Sequence, residues 1–281
     1  SDPHIFAAGD AVEKFGELTS SQTLVPLANL ANRHGRLIAD VIAGLDVEAH
    51  ASLGTSIIGA FGMVLAMTGL SEVAAARADV EYRVIHLHPS SHANYYPGAK
   101  RISLKVLFDP QSGKLLGAQA AGEDGVDKRI DVIATAIRGG LTIDDLMDLE
   151  LSYAPQFGSA KDAINQAGYV GNNVFNGKTP VAQWHQVDEL LAHGYKLLDV
   201  RTAKEHADGA IPLALNISVD ELRANIDRLI GDKWLVHCQV GQRGHTAVQI
   251  LRHHGIEAIN LDGGYATWRL GKDAINRVES K

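Results

Sequence analysis

Between residues 187 and 270 the chain repeatedly changes periodicity, and that alternation constrains its fold more than any other feature. A helical run over Val187 to His193 precedes an extended run, Lys196 to Val200. The capping box Ser218-Val219-Asp220-Glu221 predicts a further helix, followed by a strand at Lys233 to His237 and a helix at Thr246 to His254. A strand over Glu257 to Leu261 and a helix around Tyr265 to Leu270 complete the series. Strands that alternate with helices require a parallel sheet covered on both faces, an α/β architecture.

Residues 51–175 have another pattern. Tyr82 to His88, Arg101 to Phe108 and Lys114 to Ala121 read as strands, the last after the turn residues Asp109 to Gly113. Val126 to Arg138 reads as a helix with Ile130, Ile133, Ala134 and Ile137 on one face, ended by Gly139-Gly140. Thr142 can cap a short helix, and Ser159 to Val174 forms the last. The segment predicts an α+β domain around an antiparallel meander, and a turn-rich linker, Asn172 to Pro180, joins it to the α/β segment. Residues 1–50 offer one apolar run, Ile5 to Ala8, which ends at Gly9-Asp10. A helix over Pro26 to Ala43 comes next, with Pro26 in its first turn and Gly44 at its stop. One strand and one helix cannot bury their own apolar faces, so this piece reads as the tail of a larger unit.

Charge and composition exclude several classes of function. With 26 basic against 33 acidic side chains, a net charge of -7 and no Lys/Arg run, a nucleic-acid surface or an electrostatic membrane anchor is not expected. The longest mostly apolar stretch, Ile57 to Leu70, has 14 residues and three glycines, short of a membrane span. The start, Ser1-Asp2-Pro3-His4, has neither the basic nor the apolar region of a secretory signal. Cys238 is the single cysteine, so no intrachain disulfide forms and a reducing cytoplasm is the expected setting.

That cysteine sits in the phrase His237-Cys238-Gln239-Val240-Gly241-Gln242-Arg243-Gly244, where an apolar strand gives way to a helix. Open α/β sheets bind ligands at this end of their strands. Gly241 and Gly244 permit backbone angles that turn successive N–H groups toward one point. Such amides, with the positive end of the following helix, stabilise an anion at the sulfur and make it a nucleophile. Arg243 supplies a bidentate donor for an oxyanion. The competing reading makes Cys238 a small buried hydrophobe.

Other phrases carry less. Gly171 to Thr179 mimics a phosphate-binding loop but has five residues between its glycines where four are required. His86, His88 and His92 have no Cys or acidic residue in their phrase to complete a zinc site, and no metal is expected. Asp144, Asp145, Asp148 and Glu150 read as a solvated helix face.

Residues 180–272 closely resemble a rhodanese domain. The resemblance is carried by Leu198-Asp199-Val200-Arg201 with Glu205, Gly209-Ala210-Ile211-Pro212 leading to Asn216-Ile217, the Cys238 loop, and Leu261 to Trp268. It implies that Cys238 is a nucleophile that accepts a sulfane sulfur as a persulfide and passes it to a thiol. It also implies that the amides of Gln239, Val240, Gly241, Gln242 and Gly244 cradle that persulfide, and that Arg243 orients substrate. Asp199 and Arg201 become a structural ion pair. The six residues from Cys238 to Arg243 have the sulfur-transferring family's loop length; the family's phosphatase and arsenate-reducing relatives use one residue more. Ala210 and Leu213 replace the family's usual His and Gly, away from the loop.

The first 175 residues resemble the C-terminal part of FAD-dependent pyridine nucleotide-disulfide oxidoreductases of the coenzyme A disulfide reductase type. Ile5 to Ala11 is similar to their second FAD-binding motif, in which Asp10 would hold the ribityl chain. Val25 to Arg36 is similar to the helix that faces the flavin with Leu27 and Ala28 at its N-terminus. Ser91 to Ala99, Gly125 to Asp131, Tyr153-Ala154-Pro155 and Lys161-Asp162 resemble the dimerisation domain. The resemblance implies that Tyr95 and Tyr153, and with them Tyr96, reach across a homodimer toward the partner's substrate, where a hydroxyl meets a developing thiolate. Interface packing is the competing reading. Gln156-Phe157-Gly158 and Ala163 depart from the family's Pro-Tyr-Ser and Pro.

No two glycines are two residues apart, so a G-x-G-x-x-G dinucleotide fingerprint is absent, and the family's redox cysteine is absent too. The reading is therefore a remnant of an FAD domain (1–50), a dimerisation domain (51–175) and a rhodanese domain (180–272). FAD and NAD(P)H would serve an intact parent whose substrates are a coenzyme A disulfide, persulfide or polysulfide and small thiols. These residues alone are not expected to reduce anything. The alternative is a non-catalytic sulfur-binding or docking module on an oligomerisation domain.

Overall fold

The computed structural model describes residue 2 and residues 4–279. Its contacts divide the chain into two units, residues 1–84 with 90–164 and residues 85–89 with 165–281.

The first unit opens with a small antiparallel pair, β1 (Glu13–Phe15) and β2 (Gln22–Leu24), and helix α1 (Ala28–Ile42). Then come β3 (Ser56–Ala60), β4 (Met63–Gly69), α2 (Glu72–Arg77), β5 (Arg83–Leu87), β6 (Ile102–Phe108), β7 (Leu115–Gly122) and α3 (Val126–Arg138). A 3-10 turn at Asp145–Met147 leads to α4 (Ala163–Phe175), which from Asn165 belongs by its contacts to the second unit, as do residues Ile85 to Leu87 of β5. The sheet order is β3-β4-β7-β6-β5, antiparallel from β3 to β4, β4 to β7 and β7 to β6. In α3, Val126, Arg129, Ile130, Ile133, Ala136 and Ile137 are buried, the spacing of a single helix face.

The structure departs locally from several of these expectations. Ile5 to Ala8 forms no strand, and Ile5 and Phe6 are exposed. An apolar run becomes a strand only when it finds a partner edge, and none of the described strands pairs with it. The loop after it instead holds β1 and β2. Pro26 precedes the N-cap residue, Leu27, rather than occupying the first helical turn. The Ile57 to Leu70 run is a hairpin whose two-residue turn, Phe61-Gly62, has both φ angles positive. Phe at a position that favours Asn or Asp hid that turn from the sequence. The helix expected from Ser159 begins at Ala163, after Asp162 turns its carboxylate to accept the Ile164 N–H. That helix continues to Phe175, so only residues 176–180 remain of the expected linker.

The second unit holds β8 (Val181–Ala182), α5 (Val187–Ala192), β9 (Tyr195–Asp199), α6 (Ala203–Ala207) and β10 (Leu215–Asn216). It continues through β11 (Lys233–His237), α7 (Gln242–His253), β12 (Ala258–Leu261) and α8 (Gly264–Glu279). The order is β10-β9-β11-β12-β8, and every pairing is parallel. Successive residues of the central strands enter opposite cores. Leu198, Val236 and Cys238 pack with Val248 and Leu251 of α7, whereas Leu197 and Leu235 pack with Val187 of α5 and Tyr265 and Trp268 of α8. Both faces are covered, as a parallel sheet requires. Ser218-Val219-Asp220-Glu221 precedes a 3-10 helix, Leu222–Arg228, rather than an α-helix. Ser218 spends its hydroxyl on the Glu221 carboxylate, at 3.2 Å.

Candidate active site

Strand β11 delivers Cys238 to the start of α7. The thiol is 1% exposed, yet the Gly241 N–H points at Sγ from 3.2 Å. Gly241 has φ +98° and ends the loop; the next residues form the first turn of α7, whose N–H groups have no partner within the helix. Gly244 plays a different part from the one its presence in the loop implies. Its φ is not positive, and a Cβ there would collide with Asn260 Oδ1. The need is close approach, and Asn260 Nδ2 also donates to the Gly241 carbonyl at 3.3 Å. From the other side the Tyr265 and Ala266 N–H groups donate to the Cys238 and Gln239 carbonyls at 2.8 and 3.0 Å.

Arg243 is bound by two hydrogen bonds to Glu205, Nη1 to Oε2 at 2.8 Å and Nη2 to Oε1 at 2.6 Å. Those bonds hold the Glu205 carboxyl down at about 2 and raise the Arg243 guanidinium above its ordinary value, with Cys238 adding to the latter. Glu205 also closes the capping box of α6, accepting from Thr202 N and Oγ1.

Behind the loop lies the buried Asp199–Arg201 pair, Oδ2 to Nη2 at 2.7 Å. Burial pushes the Asp199 carboxyl up, but the Arg201 hydrogen bonds and its other partners outweigh burial and hold it below its ordinary value. Arg201 further donates to Gln239 Oε1 at 3.1 Å and to the Gly209 carbonyl at 2.7 Å, and lies 4.3 Å from the Tyr265 ring centroid. The pair therefore fixes strand to loop. His206 Nδ1 meets Asp199 Oδ2 at 2.8 Å. The His237 ring is fully buried with no hydrogen-bond partner among the described residues, and burial pushes it down to about 4, so it is neutral.

The tyrosines form a second cluster, in the first unit. Tyr95 OH and Tyr153 OH are 3.0 Å apart on an exposed surface, and this hydrogen bond raises the Tyr153 phenol above its ordinary value. Tyr96 is part-exposed, with its ring edge-on to His92 at 5.9 Å. Buried Arg129 braces the two loops: Nη2 donates to the Ser91 carbonyl at 2.8 Å, and Nε and Nη2 grip Asp162 at 3.2 and 2.6 Å. Ala93 N completes the brace with Gly158 O at 3.0 Å. Arg129 and Asp162 lie within sequence phrases that flagged the domain, but only the structure shows them joined. Glu205 stands in the sequence phrase that carries the rhodanese resemblance, and its spacing from Thr202 fits a helix cap, but neither signal shows its bond to Arg243.

Asp10 is exposed in a turn whose Gly9 and Val12 carbonyls accept from the buried Lys14 ammonium. Leu27 and Ala28 stand at the start of α1, which has neither a side-chain cap nor an acid in its first turn. Uncapped N–H groups at that helix start fit a group bearing negative charge, as reduced flavin does. Among the described residues no group of three or more His, Cys, Asp or Glu could hold a metal, and no helix is long and apolar enough to cross a membrane.

The second unit carries a cysteine loop at the end of a central parallel strand, and the first is an α+β unit built on an antiparallel sheet. Residues 57–164 match the pyridine nucleotide-disulphide oxidoreductase dimerisation domain, and residues 183–270 match the rhodanese-like domain. The chain carries both, and the expected fold class holds for each. Over 168 residues it is 38% identical to coenzyme A disulfide reductase of Staphylococcus haemolyticus, covering 59% of this chain and 38% of that protein. The crystal structure of reduced Bacillus anthracis CoADR-RHD superposes with a TM-score of 0.92 at 44% identity, over 95% of this chain and 48% of that one. The NAD-dependent persulfide reductase from A. fulgidus superposes with a TM-score of 0.88 at 33% identity, over 95% and 49%. The likeness to a coenzyme A disulfide reductase joined to a rhodanese domain is thus borne out. The chain spans about half the length of these two structures.

Proposed function

We propose that this chain serves a cytoplasmic, homodimeric, FAD- and NAD(P)H-dependent reductase of coenzyme A disulfide, persulfide or polysulfide, in which Cys238 carries sulfane sulfur. The observation that carries the reading is the Gly241 N–H aimed at Cys238 Sγ from 3.2 Å, at the N-terminus of α7. Backbone donors at that place favour an anion on sulfur without a neighbouring base. The Cys238 thiolate attacks the sulfane sulfur of a donor R–S–S⁻; the new S–S bond forms as the old one breaks, leaving Cys238–S–S⁻ and R–S⁻. No net oxidation occurs, and the reverse exchange hands the sulfur to a thiol acceptor. The amides from Gln239 to Gly244 receive the terminal sulfur, and Arg243 orients the donor.

In the same proposal Tyr95 and Tyr153, with Tyr96 beside them, face a partner subunit's substrate, and their paired hydroxyls donate to a departing thiolate. Asp10, Leu27 and Ala28 would hold one edge of FAD, which when bound relays electrons from the nicotinamide. The test is sulfur transfer from polysulfide to cyanide by the purified chain. Activity in the wild type that vanishes in Cys238→Ser supports the reading; equal activity in both overturns it.

The burial of Cys238 favours a second reading, a sulfur-holding module without turnover. Arg243→Ala separates the two, since a carrier loses transfer rate and a storage module changes only its persulfide lifetime.

A further inference from the structure

The cations around Cys238 are already neutralised. Arg243 is spanned by both oxygens of Glu205, and Arg201 is saturated by Asp199. His206 also turns to Asp199, and His237 is buried without charge. The loop side chains Gln239, Val240 and Gln242 carry no charge. Arg269 is exposed and lies 6.0 Å from the Tyr265 ring centroid. A donor that brings two negative charges up to Cys238 therefore finds backbone dipoles and two guanidinium groups, Arg243 and Arg201, each already paired with a carboxylate.

We infer that Glu205 is a specificity-determining residue, which by neutralising Arg243 at the Cys238 loop biases the site toward donors that bring a single negative charge to the reacting sulfurs and against dianionic thiosulfate. Organic persulfides are the favoured class and thiosulfate the disfavoured one. The inference rests on the persulfide reading of Cys238. Its basis is charge balance: thiosulfate must expel dianionic sulfite at the mouth of the loop, where the Glu205 carboxylate repels it and holds the Arg243 guanidinium that would offset it. A persulfide brings one charge to the loop and expels a singly charged thiolate, the donor's other charges lying several bonds away.

The decisive variant is Glu205→Gln. Gln still serves at the third position of a capping box, so α6 keeps its cap while the charge goes. Loading of Cys238 by thiosulfate and by glutathione persulfide is measured for the full chain, with kcat and KM separated. The expected result is a rise of about fivefold or more in the thiosulfate-to-persulfide ratio of kcat/KM, carried by KM, the effect of one uncompensated charge at a partly solvated site. Glu205→Asp, which keeps the charge, is expected to stay near the wild-type ratio. A ratio unchanged in Glu205→Gln, or both donors slowed equally, overturns the inference and leaves the persulfide reading intact. Failure of wild-type Cys238 to take sulfur from either donor overturns both.

Discussion

Asp199→Asn removes one charge and no volume, and so isolates what the buried pair behind the loop contributes. Asp199 and Arg201 have side chains 0% and 2% exposed, with Nη2 and Oδ2 2.7 Å apart. Removing one partner leaves a guanidinium in the interior with no counter-ion. Such a loss costs about 3–5 kcal/mol, far above the ~1 kcal/mol of a surface pair. For a unit of this size that lowers the melting temperature by about 10–20 °C. Calorimetry is the assay, with the second unit's transition expected to move and the first unit's to stay, because Asp199 belongs to the second. The loop should loosen as well, since Arg201 also holds the Gln239 side chain at 3.1 Å. Faster alkylation of Cys238 would report it. A loss below about 1 kcal/mol, with unchanged thiol reactivity, would refute the argument that this pair positions the loop.

His237 is held at about 4 against an ordinary 6.5, so between those values the unfolded chain binds the proton that the folded one refuses. Its contribution is therefore complete above pH about 6.5 and lost as pH falls toward about 4; His237→Phe should flatten the stability profile in that window, as followed by denaturant titration. An unchanged slope would show that the ring does not titrate this way. Tyr95→Phe removes the hydrogen bond that raises Tyr153, so the Tyr153 phenol should ionise at lower pH in an ultraviolet difference titration, and an unmoved curve would mean the hydroxyls do not pair in solution. Gly244→Ala should cost about 1–3 kcal/mol because its Cβ overlaps Asn260, and a stability equal to wild type would show that Asn260 moves freely.

Much of the second unit was legible because its signals are local. Parallel strands buried on both faces read as short apolar runs, and β11 falls at the residues expected, Lys233–His237. The helix over Val126–Arg138 was equally plain, because its apolar spacing and its glycine stop agree. What escaped depends on partners distant in sequence. The β3–β4 hairpin hid behind a Phe at a turn position. Ile5 to Ala8 has strand composition but no edge to join. Helix α7 starts at Gln242 rather than Thr246, since the loop geometry at Gly241 and not helix propensity sets its beginning. For the site, Cys238 and its glycine loop stood out, whereas the Glu205–Arg243 and Arg129–Asp162 bonds join side chains 38 and 33 residues apart, beyond the reach of any local pattern.

Mass spectrometry of the polysulfide-treated chain, with fragment mapping before and after cyanide, tests the central claim most directly. One added sulfur atom located on Cys238 and removed by cyanide is the expected result. An unmodified Cys238 peptide under conditions that persulfidate a small thiol in the same tube would contradict it.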